Sequence, residues 1–550
     1  MNVTSGLVAT KLTPFESTAV TRIKASPFRF WLVGLLLSIG PLSAFASTIT
    51  VTSTNDSGPG SLREALSNAV SGDLINFNLP QLPATIVVSS SLHPGNGVSI
   101  EGPGPNSLAI NGADGVSVFV VEGENVVING LAIEHGSSVS GAGVLNEGTL
   151  TLVNVAVRDN TVGTQLGAGI FNSGTLTLDV CTVANNSAGS SFFERNQGGG
   201  IYNYQGTTTI RFSDISSNEA AVAGGNGGGI AVHSGTVNVD YSTISGNTSS
   251  LFGGGVYIEG GSVNISHSTI STNTTGRGGG VVIVGGTLAF TNSTIANNVS
   301  LNDAAILATR DPDFSVAPSV FISNSTIYGN NPGGLSVGMN IASAVKGSIF
   351  FGNHASNCSN FSGAILSQGH NLSSDVSCTT YFTQTGDVNH ADIGLDPRGL
   401  QDNGGDTRTV ALVSGSSAID AIPASACSDV DNHPITTDQR GVARPQGSGC
   451  DVGAYEYFSS QHLVQAVATY QIISAVYALS LPTDTQTALT APLEAAVASL
   501  NRGSLSSARG QLGAFINQTE VLVGTAILAA SDAAALKTAA QGVLADISGS

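Results

Sequence analysis

Asp179, Arg211 and Asp240 occupy one equivalent place in three successive repeats, seven residues before the asparagine that ends each repeat. Two carboxylates flanking a guanidinium could supply a general base or hold a cation beside a group that binds an acidic sugar. That is the chemistry of a lyase-like or hydrolase-like site. A surface salt-bridge ladder uses the same residues and is the plainer reading. A second set is aromatic. Phe171, Tyr202 and Tyr257 share one repeat position, and Tyr204, His233 and Glu259 share another two residues further on. Their parity is opposite to that of Ile170, Ile201, Ile230 and Val256, so they are expected on an exterior face, where rings could stack on sugars. A parity error of one residue would invert that face. Asp429, Asp431 and Asp438 could hold Ca²⁺, although Arg440 and Arg444 could neutralise them equally well, and structural ion pairing is the expected use. No other cofactor is expected. The chain has no HExxH, nucleophile elbow, Walker loop or Cys-x-x-Cys pair.

These residues must be positioned by a repeat. Gly-Gly-Gly or Gly-Ala-Gly triplets begin at Gly141, Gly167, Gly198, Gly227, Gly253 and Gly278, 25–31 residues apart. Each is followed by an apolar run, then Gly-Thr, Gly-Ser or a similar pair, then a segment such as Ser-Thr-Ile-Ser-Gly-Asn. Aligned on the closing asparagines (Asn160, Asn186, Asn218, Asn247, Asn273, Asn298 and Asn330), the position three residues earlier is always Val or Ile. Pairs such as Leu150/Leu152, Val237/Val239 and Leu288/Phe290 alternate as half-buried strands. Units of this length built from short strands describe a right-handed parallel β-helix, the fold class being mainly β with a small C-terminal α-helical domain. The Gly triplets read as corners. The asparagines read as a ladder at a left-handed turn, with stacked amides bonding along the axis. Their Asn-X-Ser/Thr sequons need no sugar to explain them.

Composition narrows the partners. Among 550 residues only 10% are charged, 41% are hydrophobic, 69 are Gly, and the net charge is −19. That balance argues against nucleic acid, which needs clustered Lys and Arg. Arg22, Lys24 and Arg29 precede the apolar Phe30–Leu37 run and the small-residue site Ala44-Phe45-Ala46, which reads as a signal peptide over 1–46. No membrane span is expected after its cleavage, and a secreted or cell-surface location follows. In an exported chain Cys358 with Cys378 and Cys427 with Cys450 read as two local disulfides, one of three connectivities that four cysteines allow. Cys181 stands where other repeats carry Ser213, Ser242, Ser268 and Ser293, so a small packed thiol is expected.

Residues 47–392 are expected to form the β-helix with an N-terminal cap. In 60–77 a helix would place Leu62, Ala65, Leu66 and Ala69 on one face, with a strand after it. Ser61-Leu62-Arg63-Glu64-Ala65 resembles the motif of the CSLREA group of exported bacterial β-helix proteins, here without its Cys. Leu400 to Gly405, Gly415 to Asp420, Thr437 to Pro445 and Cys450 to Glu456 resemble a choice-of-anchor Q domain, which is similar in place to a C-terminal cap over 393–457. That resemblance implies location rather than chemistry. Residues 458–550 turn Ala/Leu-rich, with helical runs through Leu489, Leu493, Ala496, Val497 and Leu500, through Ala508, Leu512, Phe515, Ile516 and Val521, and through Ala533 to Leu544. They resemble the FIMAH domain, a helical module without transferable chemistry. Together these features imply an exported or cell-surface protein acting in recognition or adhesion, with an extracellular glycan or surface protein as partner. A polysaccharide lyase or glycoside hydrolase on the β-helix face is the alternative.

Overall fold

A computed structural model describes residues 46–189, 197–220, 224–311, 316–361, 363–458, 461–479, 481–501, 505–525 and 527–548. The expected signal peptide lies outside them up to residue 45. The repeats form a parallel β-solenoid in which each coil contributes one short strand to each of several sheets. One coil shows the plan: Val256–Ile258 lies in sheet C, Ser262–Ser266 in sheet A, Thr269–Ser271 in sheet B and Thr274–Thr275 in sheet D. Sheets A and B each have 13 strands, sheet C has 10 and sheet D has 7, and every strand pairs in parallel with its counterpart in the next coil. Alternation decides what points inward. In Thr236–Asp240, Val237 and Val239 are buried while Asn238 and Asp240 face outward.

The corners explain why the polar residues repeat. Asn160 donates from Nδ2 to Asn186 Oδ1 at 3.0 Å, and the same bond continues through Asn218, Asn247, Asn273, Asn298 and Asn330 to Asn353 at 2.9–3.0 Å. The amide ladder is therefore as expected, but its backbone conformation is not. The left-handed residue is the one before it: Asp159, Asn185, Ser217, Gly246, Thr272, Asn297 and Gly329 all have φ between 54° and 62°. The ladder asparagines themselves are buried, where an unpaired amide would be costly. The Gly triplets are more than corners. Only the first glycine is left-handed. A Cβ on the third would lie 2.9–3.3 Å from the ladder amide, as at Gly143, Gly229 and Gly280, and one on Gly228 or Gly254 would strike the backbone of Thr248 or Thr274. The triplet is glycine because another strand lies against it.

Helix α1 (Leu62–Asn68) buries Leu62, Ala65 and Leu66 on the first coils, with Ser61 capping the Glu64 N–H at 3.2 Å. At the other end the Cys358–Cys378 disulfide and Phe382 pack into the same core. Residues 393–457, expected as the end cap, run back along the flank and carry the Cys427–Cys450 disulfide. Val430 N donates to Ser323 Oγ at 3.0 Å, Lys346 Nζ to Ser428 Oγ at 2.6 Å, and Gly453 N to Gly347 O at 2.8 Å. Helices α2 (Gln461–Tyr477), α3 (Thr483–Asn501), α4 (Leu505–Gly524) and α5 (Ala530–Ser548) form a bundle around Leu493, Leu500, Leu512, Phe515 and Leu536. Val521, placed by spacing on the apolar face of its run, is exposed. No helix among the described residues is long and apolar enough to cross a membrane.

Candidate functional site

The corner between sheets A and B is built by serine. Ser213, Ser242, Ser268, Ser293, Ser325 and Ser348 each accept the N–H of the preceding coil's equivalent residue at 3.0–3.2 Å. Each also donates to the carbonyl two residues back at 2.6–2.9 Å. Cys181 heads this ladder, its Sγ 3.3 Å from Leu152 O, and burial pushes its thiol up to about 11. It is a packed thiol, as its place among serines predicts. The residue just before each serine is left-handed, and before Ser213 it is Phe212, whose side chain is 45% exposed.

Asn154, Asn292, Asn324 and Gly347 fill that position in four coils, as left-handed backbone prefers. The coils between carry Val180, Phe212, Tyr241 and His267, with φ of 56°, 48°, 46° and 47°. A β-branched or bulky residue there is an outlier that costs roughly 1–3 kcal/mol, and such residues gather at functional sites. Phe212 and Tyr241 stack at 5.4 Å between centroids, and Tyr241 and His267 at 4.6 Å with planes 6° apart. Val180, Phe212 and Tyr241 form one wall of a groove of about 970 Å³. Its floor is the outer face of sheet B, with Thr182, Asp214 and Thr243. Its downstream end is the turn between strands Leu395–Gln401 and Thr409–Leu412, carrying Asp402, Asp406 and Arg408. Thr269 Oγ1 donates to Arg408 O at 2.6 Å and Thr407 Oγ1 to His267 O at 2.9 Å, which pins that turn to the solenoid. Burial raises the Asp214 carboxyl above the usual range, with only the Ser216 hydroxyl opposing it.

The expected sites are redistributed. Asp179, Arg211 and Asp240 are register neighbours on sheet A and face outward, as predicted. Among the described residues, however, Arg211 forms no ion pair with either carboxylate. Asp240 instead accepts from Ser266 Oγ at 2.8 Å and lies 2.9 Å from His267 Nδ1. Burial pushes Asp240 up, but these bonds and the charges of His267 and Arg211 outweigh it and hold the carboxyl low. The exterior aromatic face is corrected more strongly. Tyr202, Tyr257 and Glu259 are only 3%, 3% and 4% exposed. The residues before each Gly triplet, Gln197, Asn226, Phe252 and Arg277, form their own row of parallel bridges, and Phe252 stacks on Tyr257 at 6.0 Å. The outer side of sheet C is therefore a second small core. Glu259 takes Gln197 Nε2 at 2.6 Å and faces His233 Nδ1 at 2.7 Å. Phe171 stacks on Tyr204 and Tyr204 on His233, and Tyr204, 38% exposed, keeps the exterior place expected of it.

Asp429, Asp431 and Asp438 do not converge. Asp438 is buried against Arg440 at 2.6 Å, and Asp429 accepts from the backbone of Asp431 and His433. No group of three or more metal-type ligands occurs among the described residues. Arg444 pairs with Glu456 at 3.2 Å, both buried. Burial pushes Glu456 up to about 7 and Asp451 up to about 6, against the pull of Arg444. An unfolded chain releases these protons near pH 4, so the folded state binds more protons from there to about pH 7. Stability contributed here should fall as pH rises through that window. Thermal unfolding midpoints at several pH values should show the decline, and Glu456→Gln should flatten it.

The chain matches no family model, no curated protein and no solved structure in comparisons with known proteins. Fold and site define a parallel β-solenoid bearing an aromatic-walled groove on its flank. Sequence reasoning missed Phe212, Tyr241 and Asp214. The signal was the break in an otherwise Asn/Gly column just before the serine ladder.

Proposed function

We propose that this chain is an exported recognition protein that holds a hydroxyl-rich glycan in the flank groove. The observation that carries the reading is the column Val180, Phe212 and Tyr241, kept in left-handed backbone where coils further along the solenoid use Asn or Gly. The floor supplies Thr182, Thr243 and Asp214 as donors and acceptors, and the exposed face of Phe212 supplies a ring. Asp214, Asp402 and Asp406 outnumber Arg408, so uncharged or amine-bearing sugars suit the groove better than polyuronates. Two disulfides are consistent with an oxidising, extracytoplasmic setting.

Immobilised cello-, xylo- and chito-oligosaccharides, chitosan and polygalacturonate provide the test. Binding to a neutral or amine-bearing member, weakened at least about fivefold by Asp214→Asn (roughly 1 kcal/mol, one ordinary hydrogen bond), supports the groove. Tyr204→Ala, on sheet C, should leave that binding unchanged. Preferential binding of polygalacturonate, or release of new sugar ends that Asp179→Asn or Asp240→Asn abolishes, would instead favour the lyase or hydrolase reading.

A further inference from the structure

We infer that the groove is blind at one end and takes the terminus of a glycan chain rather than its middle; this rests on the glycan reading above. The outward positions of sheet B form two rows along the solenoid axis. In the first row Thr182 is exposed and Asp214 and Thr243 are partly open, but Thr269, Thr294 and Thr326 are buried at 1%, 0% and 1%. In the second row Ala184, Ser216 and Ser245 are partly open, whereas Ser271 and Ala296 are buried. Nothing in the strands themselves changes at this point, since Thr243 and Thr269 are register partners in the same sheet. What changes is the covering segment.

Residues 405–456 lie on the downstream coils and are bonded to that row of threonines. Thr269 Oγ1 donates to Arg408 O at 2.6 Å, Thr294 Oγ1 to Gln439 Oε1 at 2.6 Å, and Ala454 N to Thr326 Oγ1 at 3.0 Å. Gln439 Nε2 ties Thr269 and Thr407 together at 2.9 and 2.8 Å. The wall is therefore a built, buried polar contact. Coils advance by about 4.8 Å. A chain lying along the axis over Thr182, Asp214 and Thr243 meets the Arg408 backbone at the next step. The other direction is not blocked in this way, because Thr182 is exposed and Ala156 is partly open. A polymer can enter from the upstream side and must end at the wall. Polymers that present only internal residues would have to leave the sheet and lose the floor contacts.

Stoichiometry tests this with two probes, a glucosamine tetramer and a long chitosan polymer, titrated calorimetrically against the whole protein. End recognition predicts one protein per chain for both probes, with affinity per chain nearly independent of length. Several proteins per polymer chain would overturn the inference while leaving glycan recognition standing. Failure of both probes and of the wider glycan panel to bind would remove the glycan reading and this one with it. Replacing Asp402–Arg408 by a two-glycine turn between the paired Gln401 and Thr409 removes the Thr407 and Arg408 contacts, so it should lower the wall and raise the number of proteins bound per polymer. If that variant does not fold, the wild-type ratio decides alone.

Discussion

Replacing Asn247 by alanine is expected to destabilise the solenoid by about 3–5 kcal/mol, among the larger effects a single side chain can have. The Asn247 amide accepts from the Asn218 N–H at 2.9 Å and from Asn218 Nδ2 at 3.0 Å. It donates to Ile215 O at 2.8 Å and to Asn273 Oδ1 at 3.0 Å. Removing it strands partners on both neighbouring coils in a place water does not reach. Alanine replaces none of these bonds, and each buried group left unpaired costs roughly 1–3 kcal/mol. Asn238 provides the control. It also takes part in an amide-to-amide bond, from Asn264 Nδ2 at 2.9 Å, but on the exposed side of sheet A. There water can take over, so Asn238→Ala should cost about 1 kcal/mol or less. Urea unfolding midpoints of the two variants measure the difference. Equal losses would mean that the ladder owes its effect to something other than burial.

The second large effect separates stability from binding. Phe212→Asn should weaken binding in the groove at least about tenfold, some 1.4 kcal/mol, while the unfolding midpoint stays close to that of the native chain. Asparagine relieves the left-handed backbone by about 1 kcal/mol. The lost stack on Tyr241 costs about 0.5–1.5 kcal/mol, so the two nearly cancel. Phe212 is 45% exposed and displays its ring beside the groove floor, so little core packing is lost with it. A binding isotherm and a melting curve on the same preparation check both halves. Unchanged affinity would show that the column does not touch ligand. A loss of stability above about 2 kcal/mol would mean that Phe212 is held for packing, because no exposed aromatic pair is worth that much. Binding lost with stability unchanged would show that the strained backbone at Phe212 is kept for binding rather than for the fold.

Much of the scaffold is legible in the sequence because its physics is local and repeated. The alternation of Val237/Val239 and its equivalents, the Ile column and the Asn column recur at fixed offsets, and parallel stacking converts an offset into a line of contacts. Cys181 was readable for the same reason, as a thiol in a serine position. The helical run through Leu489, Leu493 and Leu500 was readable from its period alone, and burial agrees.

The site was not legible in the same way. Tyr202 and Tyr257 have the parity of an outward face, and on an open sheet they would be exposed. They are buried where residues just before the Gly triplets, such as Phe252 against Tyr257, line the outer side of sheet C, a contact between elements that no single strand encodes. Val180, Phe212 and Tyr241 were visible as residues, but their meaning depends on the left-handed corner that the serine ladder closes. The groove itself requires residues 400–408 to come back beside coils more than 130 positions earlier. Short-range pattern determined the coil, its core and its two polar ladders, since each rests on hydrogen bonds and burial repeated at every turn. Only the tertiary structure decided which outward surface stays open, because that depends on where a distant, non-repeating segment stops covering an otherwise uniform face.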